Sequence, residues 1–388
     1  MKKITQKFDG YRRRVRYEWN QWRNAAVARK REKMFGEWLA FLTANPPDVL
    51  VGANFATYGG VRHHIQAIQR YSTLNVELAP SEKLMREIGA HHITHDFRDW
   101  FARFPAEGVK VVHSHVYPWF IEWCCEHQKT GTHWIHTYHL HYYTEHGTQG
   151  LKLWQKEIND ALLNVASRAD ICLSVSQWQA KELMREHGIK AQYLPNGVDV
   201  AICDAASASR FIDKMGIDKF ILYVGRNDPV KNPLDFVRLA ERLPDYQFVM
   251  IGGGLSDESL RCDWHVEVPD NLLIVGPISH TEVQDAIAAC SALVVTSKRE
   301  GLPTLVMEGM AQCKAVVVPN EAGCMEVIGA GEAGIIYEQG DIDDLKEKTL
   351  KALVDTELGK LARRRVLVEY DWQNIAPKLD AIYQGIST

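Results

Sequence analysis

The segment at residues 292–309 combines residue types that can bind a phosphate group. A short apolar strand is predicted over residues 293–296, and Pro303 lies where a first helical position is expected, because its missing N–H costs nothing there. The backbone N–H groups near Thr304 and Leu305 should then be unpaired and point, with the positive end of the helix dipole, into the crevice above the strand. The segment therefore predicts an anion site at a helix N-terminus.

Two glutamates flank this predicted site. Glu300 and Gly301 lie in the loop before the helix, and Glu308 lies about a turn and a half inside it. Carboxylates beside a phosphate site favour a ligand rich in hydroxyl groups, because sugar hydroxyls are donors that an acceptor can orient. The alternative is that Glu300 caps the helix and Glu308 is a solvated helix residue.

The composition is that of a globular protein with two domains. The chain has 388 residues, of which 46% are hydrophobic and 24% are charged, and this length exceeds that of one ordinary core. Its eight cysteines form no C-x-x-C pair and are expected to be reduced thiols. No cleavable signal and no run of about eighteen apolar residues is found. We therefore expect a cytoplasmic protein, and no nucleic-acid partner.

Basic and aromatic residues are concentrated near the N-terminus. Residues 1–45 hold twelve Lys or Arg against four acidic residues, while the remainder has a net charge of −12. The predicted element is a long helix over residues 1–46, ended by Pro46-Pro47. This helix either lies on an anionic membrane, as a peripheral contact with the inner face of the cell membrane, or packs its aromatic stripe on the acidic body or a partner chain. The aromatic residues concerned are Tyr11, Tyr17, Trp19, Trp22 and Trp38.

Apolar runs alternate with helical periods over residues 47–200. This alternation predicts an α/β domain with parallel strands in a doubly wound sheet. The first strand runs into Gly59 and Gly60 and then into a helix. A strand, a glycine turn and a helix make a second backbone site for an anion, although such a turn is also compatible with a simple tight connection.

The same pattern restarts over residues 205–371 and predicts a second doubly wound domain. Its first strand ends at Gly225 and is followed by Arg226 and Lys231. Ligands of open α/β sheets bind at the carboxyl ends of the strands, so these residues and Glu300 should share one crevice. Apolar residues at helical spacing over 372–388 predict a C-terminal helix that returns to the first domain: Trp372, Ile375, Leu379, Ile382 and Tyr383.

Five segments in this order resemble the GT-B glycosyltransferases of family 4, from about residue 48 to the C-terminus. They are Gly59-Gly60, residues 195–199, Gly225-Arg226 with Lys231, the glycines at 252–254, and Glu300 to Glu308. The resemblance implies two Rossmann-like domains facing each other across a cleft. It also implies retaining transfer of a hexose from a nucleotide diphosphate sugar, with UDP favoured and with no metal or other cofactor.

The resemblance also assigns roles to residues. In that family the first glutamate holds hydroxyls of the donor sugar and the second holds the ribose, which correspond to Glu300 and Glu308 here. Arg226 and Lys231 correspond to the cations that neutralise the diphosphate; the alternatives are that Lys231 is a surface lysine and that Arg226 pairs with Asp228. Main-chain groups of the donor site are expected at Gly59, Gly60, Gly225, Ile278 (the base-binding loop), Gly301, Thr304 and Leu305.

Thirteen of the sixteen histidines lie between residues 63 and 146. Such clustering is compatible with a metal site, because imidazole is a common zinc ligand. The resemblance implies otherwise, since Thr137-Tyr138-His139 resembles a T-x-H segment whose histidine faces the reacting centre, and His115 resembles the strand-end histidine of the neighbouring unit. We therefore expect His139 to contact the donor sugar or the acceptor, with a structural role as the alternative.

The acceptor is expected on the first domain, whose loops are rich in histidine and aromatic residues. A saccharide suits these loops, and a lipid-linked saccharide of the cell envelope also agrees with a membrane-bound N-terminal helix. Such an enzyme would act in the synthesis of a polysaccharide or a glycolipid. Two alternatives remain: a nucleotide-sugar epimerase on the same fold, and a non-catalytic sugar-nucleotide-binding subunit of an assembly.

Overall fold

The computed structural model describes residues 25–53, 59–89, 97, 99–104, 106–143 and 150–387. Within these ranges the strands form two six-stranded sheets, and every strand pair is parallel. Helices cover both sheets, as buried parallel strands require. The prediction of two doubly wound α/β domains is confirmed.

The first domain has the strand order β2-β1-β3-β4-β5-β6. Its central strands are almost entirely buried: all four residues of β1 and of β3 are buried, and the buried residues of β3 and β4 include His113 and His136. The order of the strands reverses between β1 and β3, which creates a crevice at their carboxyl ends. After a helix at residues 25–44 (α1), its elements are β1 (Val49–Gly52), α2 (Gly60–Tyr71), β2 (Val76–Ala79), α3 (Glu82–Ile88), β3 (Val111–Ser114), α4 (Pro118–Gln128), β4 (His133–Tyr138), α5 (Leu153–Asp160), β5 (Ile171–Ser174), α6 (Gln177–His187) and β6 (Gln192–Tyr193).

The second domain has the strand order β12-β11-β10-β7-β8-β9. Here the order reverses between β7 and β10, which pair directly through Ala292 and Ile221. The loops that follow these two strands therefore emerge side by side at the carboxyl edge. Its elements are α7 (Val200–Asp204), α8 (Ala208–Met215), β7 (Phe220–Val224), α9 (Pro233–Arg242), β8 (Gln247–Ile251), α10 (Asp257–Trp264), β9 (Leu272–Val275), α11 (His280–Ala289), β10 (Ala292–Val294), α12 (Thr304–Ala311), β11 (Ala315–Pro319), α13 (Ala322–Val327), β12 (Ile335–Tyr337), α14 (Ile342–Val354) and α15 (Leu358–Glu369).

The last helix, α16 (Trp372–Ser387), returns to the first domain as predicted. Its apolar face lies in the core of that domain, with Trp372, Ile375, Leu379 and Tyr383 all buried. The carboxylate of Asp380 fixes its position, since it accepts hydrogen bonds from the hydroxyls of Ser72 and Thr73 and from the Thr73 N–H.

The described part of the N-terminal helix, α1, packs on the first domain. Phe35, Trp38 and Leu42 are buried in its core, and the ring of Phe35 lies 5.1 Å from that of Phe97 in an edge-on contact. This half of the helix therefore packs its aromatic residues on the body of the protein, which was one of the two alternatives predicted for it. Tyr11, Tyr17, Trp19 and Trp22 lie outside the described residues. No helix in the described ranges has the length and apolarity needed to span a bilayer.

Candidate active site

The loops after β7 and β10 bring Lys231 and Glu300 into direct contact. The Lys231 Nζ lies 2.5 Å from the Glu300 Oε1, and both side chains are partly buried, the glutamate more deeply. The two loops are also tied through their backbones: the Thr296 hydroxyl donates to the carbonyls of Lys231 and Asn232, and the Lys298 N–H donates to the Val230 carbonyl. The structure thus places an ion pair at the switch point of the sheet.

Arg226 lies in the same loop but makes a different contact. Its guanidinium is 3.5 Å from Asp228 and its side chain is 72% exposed, which matches the alternative for this residue. Burial raises the pKa of Tyr142 in the first domain, and the Arg226 charge acts on that hydroxyl in the opposite direction. Arg226 therefore faces the cleft without joining Lys231 and Glu300 in the described contacts.

Two helix N-termini face each other across the cleft. Helix α12 begins at Thr304, with Pro303 in an extended conformation at the N-cap position; the proline thus lies one residue earlier than predicted. Helix α2 begins at Gly60, after Gly59 at a φ of 121° that favours glycine. A side chain at Gly60 would start only 3.2 Å from the Thr304 hydroxyl. Unpaired N–H groups of both helices therefore converge on one small region.

Glu308 lies deeper in α12 and is buried. Its Oε1 is 2.8 Å from the Nε2 of His280, the first residue of α11. A capping box between Ser279 and Glu282 fixes where α11 begins and so positions His280. Burial lowers the pKa of His280, but the hydrogen bond and the charge of Glu308 outweigh burial, so the net shift is upward.

His280 also forms the contact between the domains at this point. Its ring lies 4.3 Å from that of His63 on α2. The pKa of His63 is lowered by burial and then by the neighbouring charge of His280. The cleft beside these rings is lined by residues of both domains: Gln66, Arg70, Tyr71, Asp199, Thr304, Glu308 and Trp372 are among them.

Gly225 directly follows β7, at the start of the loop that carries Lys231, and Ile278 lies in the loop after β9. The Gly225 N–H donates to the Ile251 carbonyl, and a side chain at Gly252 would collide with the Gly225 carbonyl, so the turns after β7 and β8 are closely packed. Ile278 is partly buried against the core, in the loop between β9 and α11. Both positions border the same carboxyl edge as Lys231 and Glu300.

The first domain holds the loop that carries Glu300 through hydrogen bonds and close packing. The Trp178 indole N–H donates to the Gly301 carbonyl at 2.7 Å, and the Asn196 amide donates to the Leu302 carbonyl at 3.1 Å. A side chain at Gly301 would collide with the His139 carbonyl, so the loop lies against the end of β4. We call residues 299–302 the donor loop.

Charged side chains add further contacts between the two domains. Arg299 of the donor loop pairs with the buried Glu182 at 2.8 Å and lies over the ring of Trp178. In the opposite direction, Glu326 of the second domain accepts the N–H groups of Gln177 and Trp178 at the start of α6. A carboxylate at a helix N-terminus is favourable for the helix dipole. The sequence predictions did not include these residues, because these pairings join the two domains and leave no pattern along the chain.

His139 is buried at the end of β4. Its Nε2 lies 3.0 Å from the Nδ1 of His115, which follows the neighbouring strand β3. Burial is the main cause that lowers the pKa of both histidines well below the usual value, and neighbouring imidazoles lower it further. Both rings are therefore neutral. The main-chain carbonyl of His139 lies against Gly301, and the role of the His139 side chain stays a prediction.

Comparison with known proteins agrees with this architecture. The family model for "Glycosyltransferase Family 4" matches residues 48–202, and that for "Glycosyl transferases group 1" matches residues 208–369. A glycosyltransferase of Methanocaldococcus jannaschii is 26% identical over 290 residues, which are 73% of this chain and 77% of that protein.

Two further proteins are also similar. The N-acetylgalactosamine-N,N'-diacetylbacillosaminyl-diphospho-undecaprenol 4-alpha-N-acetylgalactosaminyltransferase of Campylobacter jejuni is 26% identical over 51% of this chain and 54% of its own length. The structure of HepE from Anabaena in complex with UDP-glucose shares the fold, with a TM-score of 0.69 at 16% identity over 87% of this chain and 100% of that one. Because the two family models together span most of the residues from 48 to 369, the chain belongs to the GT-B glycosyltransferases of the family 4 type.

Proposed function

We propose that the protein transfers a hexose from a nucleotide diphosphate sugar, with UDP as the favoured nucleotide, to a saccharide acceptor and with retention at the anomeric carbon. The observation that carries this proposal is the Lys231–Glu300 contact beside the N-terminus of α12, with the N-terminus of α2 opposite. A sugar diphosphate needs a cation and unpaired N–H groups for its phosphates and a carboxylate for its hydroxyls.

In this proposal the diphosphate lies between the two helix N-termini. Lys231 turns from Glu300 to the phosphate oxygens, and Arg226, which is largely exposed, folds in from Asp228. Glu300 is then free to accept hydrogen bonds from the hydroxyl groups of the sugar, while Glu308 accepts hydrogen bonds from the hydroxyl groups of the ribose. Each group is aimed at charge or at donors of the substrate in a cleft with little water, where such contacts are strongest.

We propose a front-face route for the transfer. The bond between the anomeric carbon and the phosphate oxygen breaks as the acceptor hydroxyl approaches from the same side, and the departing phosphate oxygen takes the hydroxyl proton. Lys231, Arg226 and the helix N-termini bear the charge that grows on the diphosphate. Side chains and backbone supply the positive charge for this step, so we propose that it needs no metal at the diphosphate.

The proposed acceptor is a saccharide, and its lipid-linked form is the favoured candidate. The similar protein of C. jejuni is named for an undecaprenol-linked acceptor. The basic residues before position 25 suit an anionic membrane surface. Sedimentation of the full chain with vesicles containing anionic lipid, in comparison with neutral vesicles, tests this part separately.

The experiment that tests the proposal is incubation of the protein with UDP-, GDP- and ADP-sugars, followed by measurement of free nucleotide and of the product anomer by NMR. We expect slow release of UDP by hydrolysis and faster release with the acceptor, with an α product from an α donor. Inversion of the anomeric centre would contradict retention. Binding of every nucleotide sugar without any turnover would favour the non-catalytic subunit, and turnover to an isomeric free sugar would favour the epimerase.

A further inference from the structure

Three buried histidines of the first domain meet beneath the cleft. They are His64 on α2, His115 after β3 and His139 after β4, and one ring nitrogen from each lies within 4.8 Å of one from both of the others. Because β3 and β4 are neighbours in the sheet, their carboxyl ends place His115 and His139 side by side. All three side chains are more than nine-tenths buried.

The hydrogen bonds of Asn196 fix the proton of His64. The Asn196 Nδ2 donates to the Leu302 carbonyl, so its Oδ1 is the atom that accepts from the His64 Nδ1 at 2.7 Å. The Nε2 of His64 then carries a lone pair, and this buried atom has no hydrogen-bond partner among the described residues. A histidine that donates from one nitrogen and offers the other is oriented as a metal ligand.

His115 and His139 are spaced as two ligands of one ion. Their facing nitrogens are 3.0 Å apart, so that one ring donates a hydrogen bond to the other. Two imidazoles on one tetrahedral zinc ion are separated by roughly 3.3 Å, so the same two nitrogens can bind one ion once the shared proton is released. Their other ring nitrogens, His115 Nε2 and His139 Nδ1, are buried and have no hydrogen-bond partner in the part of the chain that the structure describes. His113 differs, since it uses both ring nitrogens on the hydroxyls of Tyr383 and Thr137.

From these contacts the geometry points to a binding site for a divalent transition-metal ion at His64, His115 and His139. Neutral imidazole suits zinc, cobalt, nickel, copper and iron, and the three ligands include no carboxylate of the kind that magnesium and calcium require. Three protein ligands leave room for a further ligand from the cleft. The ion would lie on the acceptor side and separate from the diphosphate site at Lys231.

The site has a consequence for transfer that rests on the proposed function. His139 is expected to contact the donor sugar or the acceptor, and it cannot do so while its lone pair binds an ion. The ion and the sugar therefore compete for His139, and metal binding lowers the rate of transfer. Metal binding itself is independent of that function and can be measured without any nucleotide sugar.

The test is a titration of the chelator-treated full chain with Co²⁺, whose absorption reports its ligands. We expect one equivalent to bind, with a visible band that Zn²⁺ displaces. His64→Ala and His139→Ala should each weaken Co²⁺ binding by at least about tenfold. The matched control is His265→Asn, which replaces an exposed histidine at the end of α10 with another residue that tolerates its positive φ of 54°.

Circular dichroism shows whether each variant is folded, and the wild-type titration decides the proposal even where a variant is not. Uptake of less than about one-fifth of an equivalent by the wild type overturns the site, because a formed three-histidine site binds one ion per chain. Undiminished Co²⁺ binding by folded His64→Ala and His139→Ala variants overturns it as well. A chain that releases UDP from UDP-sugar but takes up no Co²⁺ contradicts the metal site and leaves the proposed function standing.

Discussion

Lys231 and Glu300 form an ion pair, so in the proposed donor site the diphosphate replaces Glu300 as the partner of the lysine. In the proposed mechanism, Lys231→Ala removes a charge that is needed most as the diphosphate departs. We expect kcat to fall on the order of 10²–10³-fold, with a smaller effect on UDP affinity. Steady-state kinetics of donor hydrolysis measure both quantities.

Lys298→Ala is the matched control for this variant. It removes an exposed lysine side chain from the loop after β10. The hydrogen bond of residue 298 to the Val230 carbonyl is kept, because the backbone N–H donates it. We expect nearly unchanged kinetics. Equal values of kcat for Lys231→Ala and the parent would contradict the assignment of Lys231 to the leaving diphosphate.

Glu308 is expected to hold the ribose, so its loss should weaken binding of the free nucleotide. Removing a hydrogen-bond acceptor that is charged costs about 1.5–3 kcal/mol, which corresponds to a loss of roughly tenfold to a hundredfold in UDP affinity for Glu308→Ala. Calorimetric titration with UDP measures it, with the exposed Glu241→Ala as the control. UDP affinity equal to that of the parent would remove Glu308 from the nucleotide site.

The pair of His280 and Glu308 should make stability depend on pH. Although burial acts in the opposite direction, Glu308 raises the pKa of His280 in the folded protein above 6.5. The charged histidine therefore stabilises the folded state fully at pH values below the pKa of the unfolded chain. This contribution to stability is lost as the pH rises through the folded-state pKa. The difference in Tm between the parent and His280→Gln should therefore be largest near about pH 6 and shrink towards about pH 8.5. A difference that grows with pH would contradict this assignment.

At the scale of elements, α6 and the donor loop form one unit although they belong to different domains. Trp178→Phe keeps an aromatic ring beneath Arg299 but removes the N–H that bonds to the Gly301 carbonyl. A buried acceptor left without a donor costs about 1–3 kcal/mol, so kcat/KM for the donor should fall between about fivefold and a hundredfold. UDP affinity should change little, because Glu308 lies outside this contact.

Trp154→Phe is the control for that variant, since Trp154 is an exposed tryptophan of the first domain. The comparison of kcat/KM with UDP affinity separates positioning of Glu300 from a general loss of structure. A parallel fall in UDP affinity would mean that the Trp178 contact supports the domain as a whole rather than the donor loop.

Much of each element could be predicted from the sequence. The strand Phe220–Val224 ends one residue before the predicted end at Gly225, because a run of apolar residues between turn signals is a local pattern. The same holds for the start of α12, which is displaced from the prediction by one residue at Pro303. The proximity of Lys231 and Glu300 could also be predicted, since the order of parallel strands determines which loops meet.

Contacts between the domains could not be predicted in this way. The Trp178–Gly301, Asn196–Leu302 and His63–His280 contacts depend on how the two sheets face each other, and no periodicity along the chain records that orientation. The contact of Arg226 with Asp228 was foreseen only as an alternative. It is a local pairing of a cation with a carboxylate two residues further along the chain.

At the scale of the molecule, the first core is completed by the end of the chain. A chain that ends at residue 371 lacks the buried Trp372, Ile375, Leu379 and Tyr383. Loss of even one such large side chain costs about 2–5 kcal/mol, so we expect the first domain of this chain to be unfolded while residues 205–371 stay folded. Urea unfolding followed by hydrogen exchange of each domain measures this, and protection of residues 49–193 in the shortened chain would contradict it.

The position of α16 also bears on how the protein is made. A ribosome delivers the first sheet early, but the helix that covers it is translated only after the whole second domain. Until then the nascent first lobe leaves a strip of apolar surface uncovered, which is the state that chaperones bind and that aggregates most readily. The order of synthesis therefore favours a route in which the second domain folds first and the core of the first domain is completed only once α16 has been translated.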